Sequence, residues 1–134
     1  MIRKFLMEVE GLRLKPYKIN GIIHIGYGRN LEDKGITETE ARFLLANDVH
    51  DAVKKLTNYF GLEFWNSLPE NVRIVLVSMV YNLGWSGFLT FKHFIVSIKV
   101  QNYEKAIYEL QHSLRAKQLP NRTQKEVNLL KELL

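Results

Sequence analysis

The stretch EGLRLKPYKINGIIHIGYGRNL, residues 10–31, decides how the rest of the chain is read. It opens on a carboxylate, Glu10, that closes a helical pattern. Ile2, Phe5, Leu6 and Val9 recur at helical spacing, so residues 2–10 are predicted to form a helix with Glu10 on its last turn and Gly11 as its C′ residue. Apolar and polar residues then alternate with the period of a strand as far as Asn20-Gly21. That dipeptide suits a two-residue type I′ hairpin turn, which needs φ > 0 at both central positions. The returning strand, Ile22 to Tyr27, ends in Gly26-Tyr27-Gly28. With a two-residue loop, Ile19 pairs with Ile22 and Tyr17 with His24, on one face of the hairpin. One acid is thereby presented beside a small glycine-flanked sheet, in a chain that is otherwise mostly helical. Active-site walls are commonly built this way.

Outward from the hairpin (Pro16 to Gly28), Leu31 to Gly35 reads as a polar turn. Thr37-Glu38-Thr39-Glu40 is a capping box, in which the threonine hydroxyl accepts from the glutamate amide and the carboxylate reaches back. It starts an amphipathic helix carrying Leu44, Leu45, Val49, Ala52, Val53 and Leu56 and ending near Asn58. Residues 59–69 read as a loop with a short turn around Phe64 and Trp65. Pro69-Glu70 then opens a segment apolar on every side (Val72, Ile74, Val75, Leu76, Val77, Met79, Val80), the pattern of a helix at the centre of a core, ending by Gly84. Three more helices follow. Phe88, Phe91, Phe94, Ile95 and Ile98 mark the first, and Tyr103, Ala106, Ile107 and Leu110 the second. Val127, Leu130 and Leu134, after Pro120-Asn121-Arg122, mark the third.

A length of 134 residues bounds the chain to one domain with a real core, and 46% hydrophobic and 25% charged residues are ordinary for a globular protein. With no cysteine there is no disulfide framework, thiol nucleophile or thiolate metal site. His50, His93 and His112 are isolated at helical positions, and no pair of histidines has metal-ligand spacing with nearby acids, so neither a metal nor a cofactor is expected. The net charge of +5 fits either general solubility or attraction to a polyanion such as a cell envelope. Its basic residues are scattered rather than striped, which argues against a dedicated nucleic-acid binder. The N-terminus, MIRKFLMEVEGLR, has no apolar h-region and does not read as a signal peptide. The longest apolar run, Ile74 to Val80, is interrupted by Ser78 and is too short to span a bilayer. A monomer is expected, with no membrane insertion and no nucleic-acid partner.

The motif Glu10-Gly11-Leu12-Arg13-Leu14-Lys15-x-Tyr17, then a hairpin, then Ile25-Gly26-Tyr27-Gly28-Arg29-Asn30-Leu31, resembles the active-site region of the phage-type lysozymes, the endolysins of glycoside hydrolase family 24. The resemblance extends to two distant segments in the same order. Met79-Val80-Tyr81-Asn82-Leu83-Gly84 is similar to the end of the family's central helix, whose amide side chain lines the glycan cleft. Pro120-Asn121-Arg122 is similar to the Pro-Asn-Arg of the T-even phage members, whose arginine pairs with the catalytic glutamate. The resemblance implies a mainly helical α+β fold of lysozyme type. In it a small hairpin lobe (about 11–36) is joined by a long helix (about 37–58) to a larger helical lobe (about 59–134, with the N-terminal helix). It also implies a muramidase that cuts the β-1,4 bond between N-acetylmuramic acid and N-acetylglucosamine of a peptidoglycan strand. Such an enzyme, made in the cytoplasm of the producing cell, would reach the wall with help from another protein, a holin or similar.

The chain departs from the family pattern where the second catalytic group belongs. In the family an aspartate, or in some members a cysteine, follows the tyrosine closely, and a threonine precedes Ile-Gly. Here Lys18, Ile19 and Asn20 follow Tyr17, His24 takes the threonine's place, and no aspartate lies between Glu10 and Asp33. Glycoside hydrolysis needs an acid to protonate the leaving oxygen and a second group to activate water or attack the sugar. The resemblance makes Glu10 the acid; the residues taken alone favour a solvated helix-end carboxylate or an ion-pair partner of Arg122. Glu8 lies two positions earlier and faces away. Asn20 can only hydrogen-bond a water, and is first of all a turn residue. His24 has two readings: a base or nucleophile replacing the missing carboxylate, or a hydrogen-bonding residue in a degenerate site. Acid–base work by this pair needs Glu10 protonated and His24 neutral. The doubly charged pair holds the same number of protons, so a change of pH cannot convert one into the other. Tyr17, Asn20, Asn82 and Arg122 are the implied substrate-binding residues. The rival to an enzyme is a catalytically weak or dead protein of the same fold that binds glycan or a protein partner.

Overall fold

The structure, a computed structural model, describes residues 1–134. It is mainly helical with one small antiparallel sheet, the α+β class of the lysozyme-like resemblance. The chain forms two compact units, Met1–Leu45 and Ala46–Leu134.

The first unit begins with α1 (Ile2–Glu10), closed by Gly11 at φ 72°. The sheet follows, in the order β1 (Arg13–Ile19), β2 (Ile22–Gly26), β3 (Arg29–Asn30). Asn20 and Gly21 have φ 51° and 79°, the paired positive angles of a type I′ turn. The register is the one the two-residue loop requires, with Ile19 opposite Ile22 and Tyr17 opposite His24. Between Arg13 and Tyr17 the ladder is irregular, at the point where Pro16 supplies no N–H. β3 is absent from the sequence reading, because two residues carry no period. It pairs His24 with Asn30 and Ile25 with Arg29, which makes β2 the central strand.

Leu31 to Gly35 is not a polar turn but a single-turn helix, α2 (Leu31–Lys34), capped by Asn30, whose Oδ1 accepts from the Asp33 amide at 3.1 Å. The capping box forms as read. The Thr37 Oγ1 accepts from the Glu40 amide at 3.1 Å, and the Glu40 Oε1 accepts from the Thr37 amide at 2.9 Å. Glu40 also pairs with Arg29 at 2.7 Å. The Thr37 amide hydrogen bond, helped by Arg29, holds the Glu40 carboxyl below the usual carboxylate range.

The box opens α3, which runs from Glu38 to Phe60, two residues beyond the expected end. The reading of 59–69 as a loop is corrected to α4 (Leu62–Ser67), which buries Trp65. The core of the second unit is organised on α5 (Glu70–Leu89), whose Val72, Val75, Leu76, Met79, Val80 and Phe88 are buried. One expectation about α5 changes: it is not buried on every side, since Ile74 is 44% exposed. The first helical segment does end at Gly84, whose φ 73° and ψ 169° break the helix, and a second segment with Phe88 resumes beyond it as far as Leu89. By length and composition alone α5 would also be long and apolar enough to cross a membrane, which the seven-residue apolar run did not indicate; here its buried residues form the core. The helices α6 (Lys92–Lys99), α7 (Tyr103–Gln111) and α9 (Pro120–Lys131) supply Phe94, Ile98, Ile107, Leu110, Val127 and Leu130 to this core, and the short α8 (Leu114–Gln118) buries only Arg115. Pro120 starts α9 at the position where its missing N–H costs nothing.

Candidate active site

In the first unit, Glu10 is the last residue of α1 and its carboxylate lies against the backbone of Gly28. A Cβ on Gly28 would stand 2.6 Å from Glu10 Oε2 and 3.1 Å from its carboxyl carbon. Gly28 also has φ 75°, a conformation that favours glycine, and the contact means that any side chain there would displace the Glu10 carboxylate. Within its own unit the carboxylate has no hydrogen-bond or ion-pair partner, and it is exposed.

His24 stands on the central strand, half-buried between Tyr17 on β1 and Asn30 on β3. Its Nδ1 lies 2.9 Å from the Ile22 carbonyl oxygen. A carbonyl only accepts, so Nδ1 carries the proton, and in the neutral ring the lone pair is on Nε2. The tyrosine and histidine rings are 5.8 Å apart and tilted by 30°. Arg13, which the sequence reading missed, places its guanidinium 4.4 Å from the Tyr17 ring centroid. Its signal was present: Arg13, Lys15 and Tyr17 alternate toward one face of a strand. Asn20 occupies the first turn position at positive φ, a placement its role in the hairpin explains by itself.

Asn82 and Arg122 belong to the second unit, where one polar network holds both. Asn82 Oδ1 accepts from Arg115 Nε at 3.0 Å. The two terminal nitrogens of Arg115 form a double hydrogen bond with the carboxylate of Glu126, and both side chains are 4% exposed. Glu126 Oε2 also accepts from the Ser78 hydroxyl at 2.6 Å. Arg122 in turn donates to the Ser78 carbonyl and hydroxyl, each at 3.1 Å, and its Nε lies 3.9 Å from Glu126. Arg115 and Glu126 were not singled out from the sequence. Charged residues eleven positions apart, on two different helices, carry no pairing signal of their own. Ser113, which caps α8 by accepting from the Ala116 amide at 3.1 Å, was the readable mark of the helix that presents Arg115.

Comparison with known proteins adds a family to this geometry. The phage lysozyme family model matches residues 7–126. The chain is 34% identical over 87 residues to a SAR-endolysin of Bacteriophage PS119, an alignment that covers 61% of this chain and 50% of that protein. A SAR-endolysin of Bacteriophage PS34 is 33% identical over the same length and coverage. A probable T4-type lysozyme 1 of Dictyostelium discoideum is 26% identical over 110 residues, covering 79% of this chain and 65% of its own. The chain thus spans about half the length of the curated endolysins it matches.

Proposed function

The chain belongs to the phage lysozyme family, and on that footing we propose that it is a peptidoglycan hydrolase, specifically a muramidase that cleaves the β-1,4 bond between N-acetylmuramic acid and N-acetylglucosamine and so lyses bacterial cell walls. The observation that carries the proposal is the Glu10 carboxylate seated on Gly28 at the end of α1, without a partner in its unit to consume it. Glu10 is the general acid that protonates the leaving oxygen. His24, through Nε2, is the group that activates water or attacks the sugar, and Tyr17 and Arg13 fix its ring. Asn20, Asn82 and Arg122 bind the glycan. The polypeptide acts as a single lysozyme-like domain, as a monomer, and reaches the wall with help from another protein.

A second reading is favoured by one observation: the hairpin holds no aspartate, and Asn20 is accounted for by its turn. In that reading the protein is a weak or inactive lysozyme-fold protein that binds glycan or a protein partner. Digestion of purified peptidoglycan, with the products separated and their reducing ends identified, decides between the two. New reducing N-acetylmuramic acid ends, absent with Glu10→Gln, are the expected result. Reducing N-acetylglucosamine ends would replace the muramidase assignment, and binding without any soluble product would establish the second reading.

A further inference from the structure

The buried ion pair in the second unit does something that its own stability does not require: it decides which end of an exposed amide faces outward. Arginine has only donors. Whatever meets Arg115 Nε must be an acceptor, so the oxygen of Asn82, and not its nitrogen, is the end turned toward the guanidinium, at 3.0 Å. Arg115 is itself not free to swing. Its terminal nitrogens are held by Glu126 in a two-bond pair, and its Nε–H is the donor that meets Asn82 on α5. Glu126 is fixed in turn by the Ser78 hydroxyl on the same helix as Asn82. Arg115 is buried and Asn82 exposed, so the constraint is applied from inside and its result is displayed on the surface.

We propose that Arg115, locked by Glu126, is a positioning residue that holds the Asn82 amide oxygen inward, so that Asn82 meets the glycan only as a donor, through its NH2 group, and reads an acceptor oxygen of the sugar. This rests on the reading of Asn82 as glycan-binding given above. An unconstrained asparagine offers either end and costs entropy to orient; this one is oriented in advance.

The test uses the full chain carrying Glu10→Gln, so that nothing is hydrolysed, with an N-acetylglucosamine tetramer as the probe and titration calorimetry as the readout. Asn82→Ala is expected to weaken binding by roughly five- to tenfold, the loss of one hydrogen bond. Asn82→Asp keeps an acceptor for Arg115 and removes both donors. It is expected to melt no lower than the parent and to bind as weakly as the alanine variant. Arg115→Met with Glu126→Leu, which replaces the pair by apolar side chains, is expected to weaken binding more when Asn82 is present than once Asn82 is alanine, where only the loss of Glu126 beside Arg122 can still act. Asn82→Asp binding as tightly as the parent would overturn the proposal, because the amide oxygen would then be the group the sugar uses. So would a loss from the Arg115/Glu126 change that is undiminished in the Asn82→Ala background, since that is a structural effect. A parent that neither binds the tetramer nor digests peptidoglycan would overturn the glycan reading itself, and this inference with it. A parent that binds while Asn82→Asp is undiminished overturns the inference alone.

Discussion

The Glu10 carboxylate rests on Gly28, so closely that a methyl group on that glycine would sit 2.6 Å from Glu10 Oε2. The far end of a glutamate can rotate away, so Gly28→Ala should be tolerated by the fold. The cost is that of a left-handed backbone for an L-residue, about 1–2 kcal/mol. The carboxyl would be displaced. Lytic activity in a turbidity assay should fall by on the order of tenfold or more while the protein still melts cooperatively; an alanine variant as active as the parent would mean that Glu10 needs no such seat.

His24→Ala should abolish lysis with Glu10 in place. His24→Thr should stay poor, since it offers a hydroxyl in place of the ring but no carboxylate. Adding Asn20→Asp to it should recover part of the activity. The anomer released, followed by NMR, then reports the role of the parent histidine: retention marks direct attack, inversion an activated water, by analogy with carboxylate pairs. If His24→Ala lyses walls as well as the parent, the ring is a bystander of Tyr17.

Arg115→Met alone leaves the Glu126 carboxylate buried without its main partner and should destabilise the protein by about 3–5 kcal/mol in chemical denaturation. Arg115→Met with Glu126→Leu should cost far less, or nothing, because the desolvation of two charges is removed together with their attraction. Equal losses in the single and double variants would show that the packing of the arginine stem, rather than the charge, is what matters there.

Thr123 is 3% exposed and its hydroxyl has no hydrogen-bond partner. Thr123→Val keeps the shape and removes the unpaired group, so it should raise stability by about 1 kcal/mol, read as an increase in melting temperature. A decrease would mean that the hydroxyl is satisfied in solution, by a water.

Acid should loosen the first unit through Glu40. Its carboxyl titrates below the usual range when folded, so the stability it contributes is present above the unfolded carboxylate pKa and is lost as pH falls through the folded one. Glu40→Gln keeps the capping geometry but neither titrates nor pairs with Arg29. The parent's unfolding free energy should therefore drop more steeply between about pH 5 and pH 3 than the variant's; parallel profiles would remove Glu40 from the acid response.

Features that depend on neighbours in sequence were legible before any coordinates. Asn20-Gly21 set the turn and with it the Tyr17–His24 pairing, and Thr37 with Glu40 set the start of α3. Features that depend on neighbours in space were not. β3 is too short to show a period, although Asn30 three residues before Asp33 was a cap signal left unused. Periodicity cannot show that Glu10 touches Gly28, only that each residue is of a permissive type. The least legible part was the Arg115–Glu126 pair. Sequence patterns assign charged residues to the surface by default, and burial of both at once is a property of the packed helices alone.

Gly84 interrupts α5 at φ 73° and ψ 169°, yet a Cβ built there would meet nothing within 4 Å. What bars other residues from this position is handedness rather than room. The backbone angles are the mirror image of an ordinary extended residue, open to glycine because it is achiral. D-alanine introduced there by chemical ligation should leave the break in α5, and the placement of Asn82 two residues before it, undisturbed, whereas L-alanine would press the chain toward an unbroken helix.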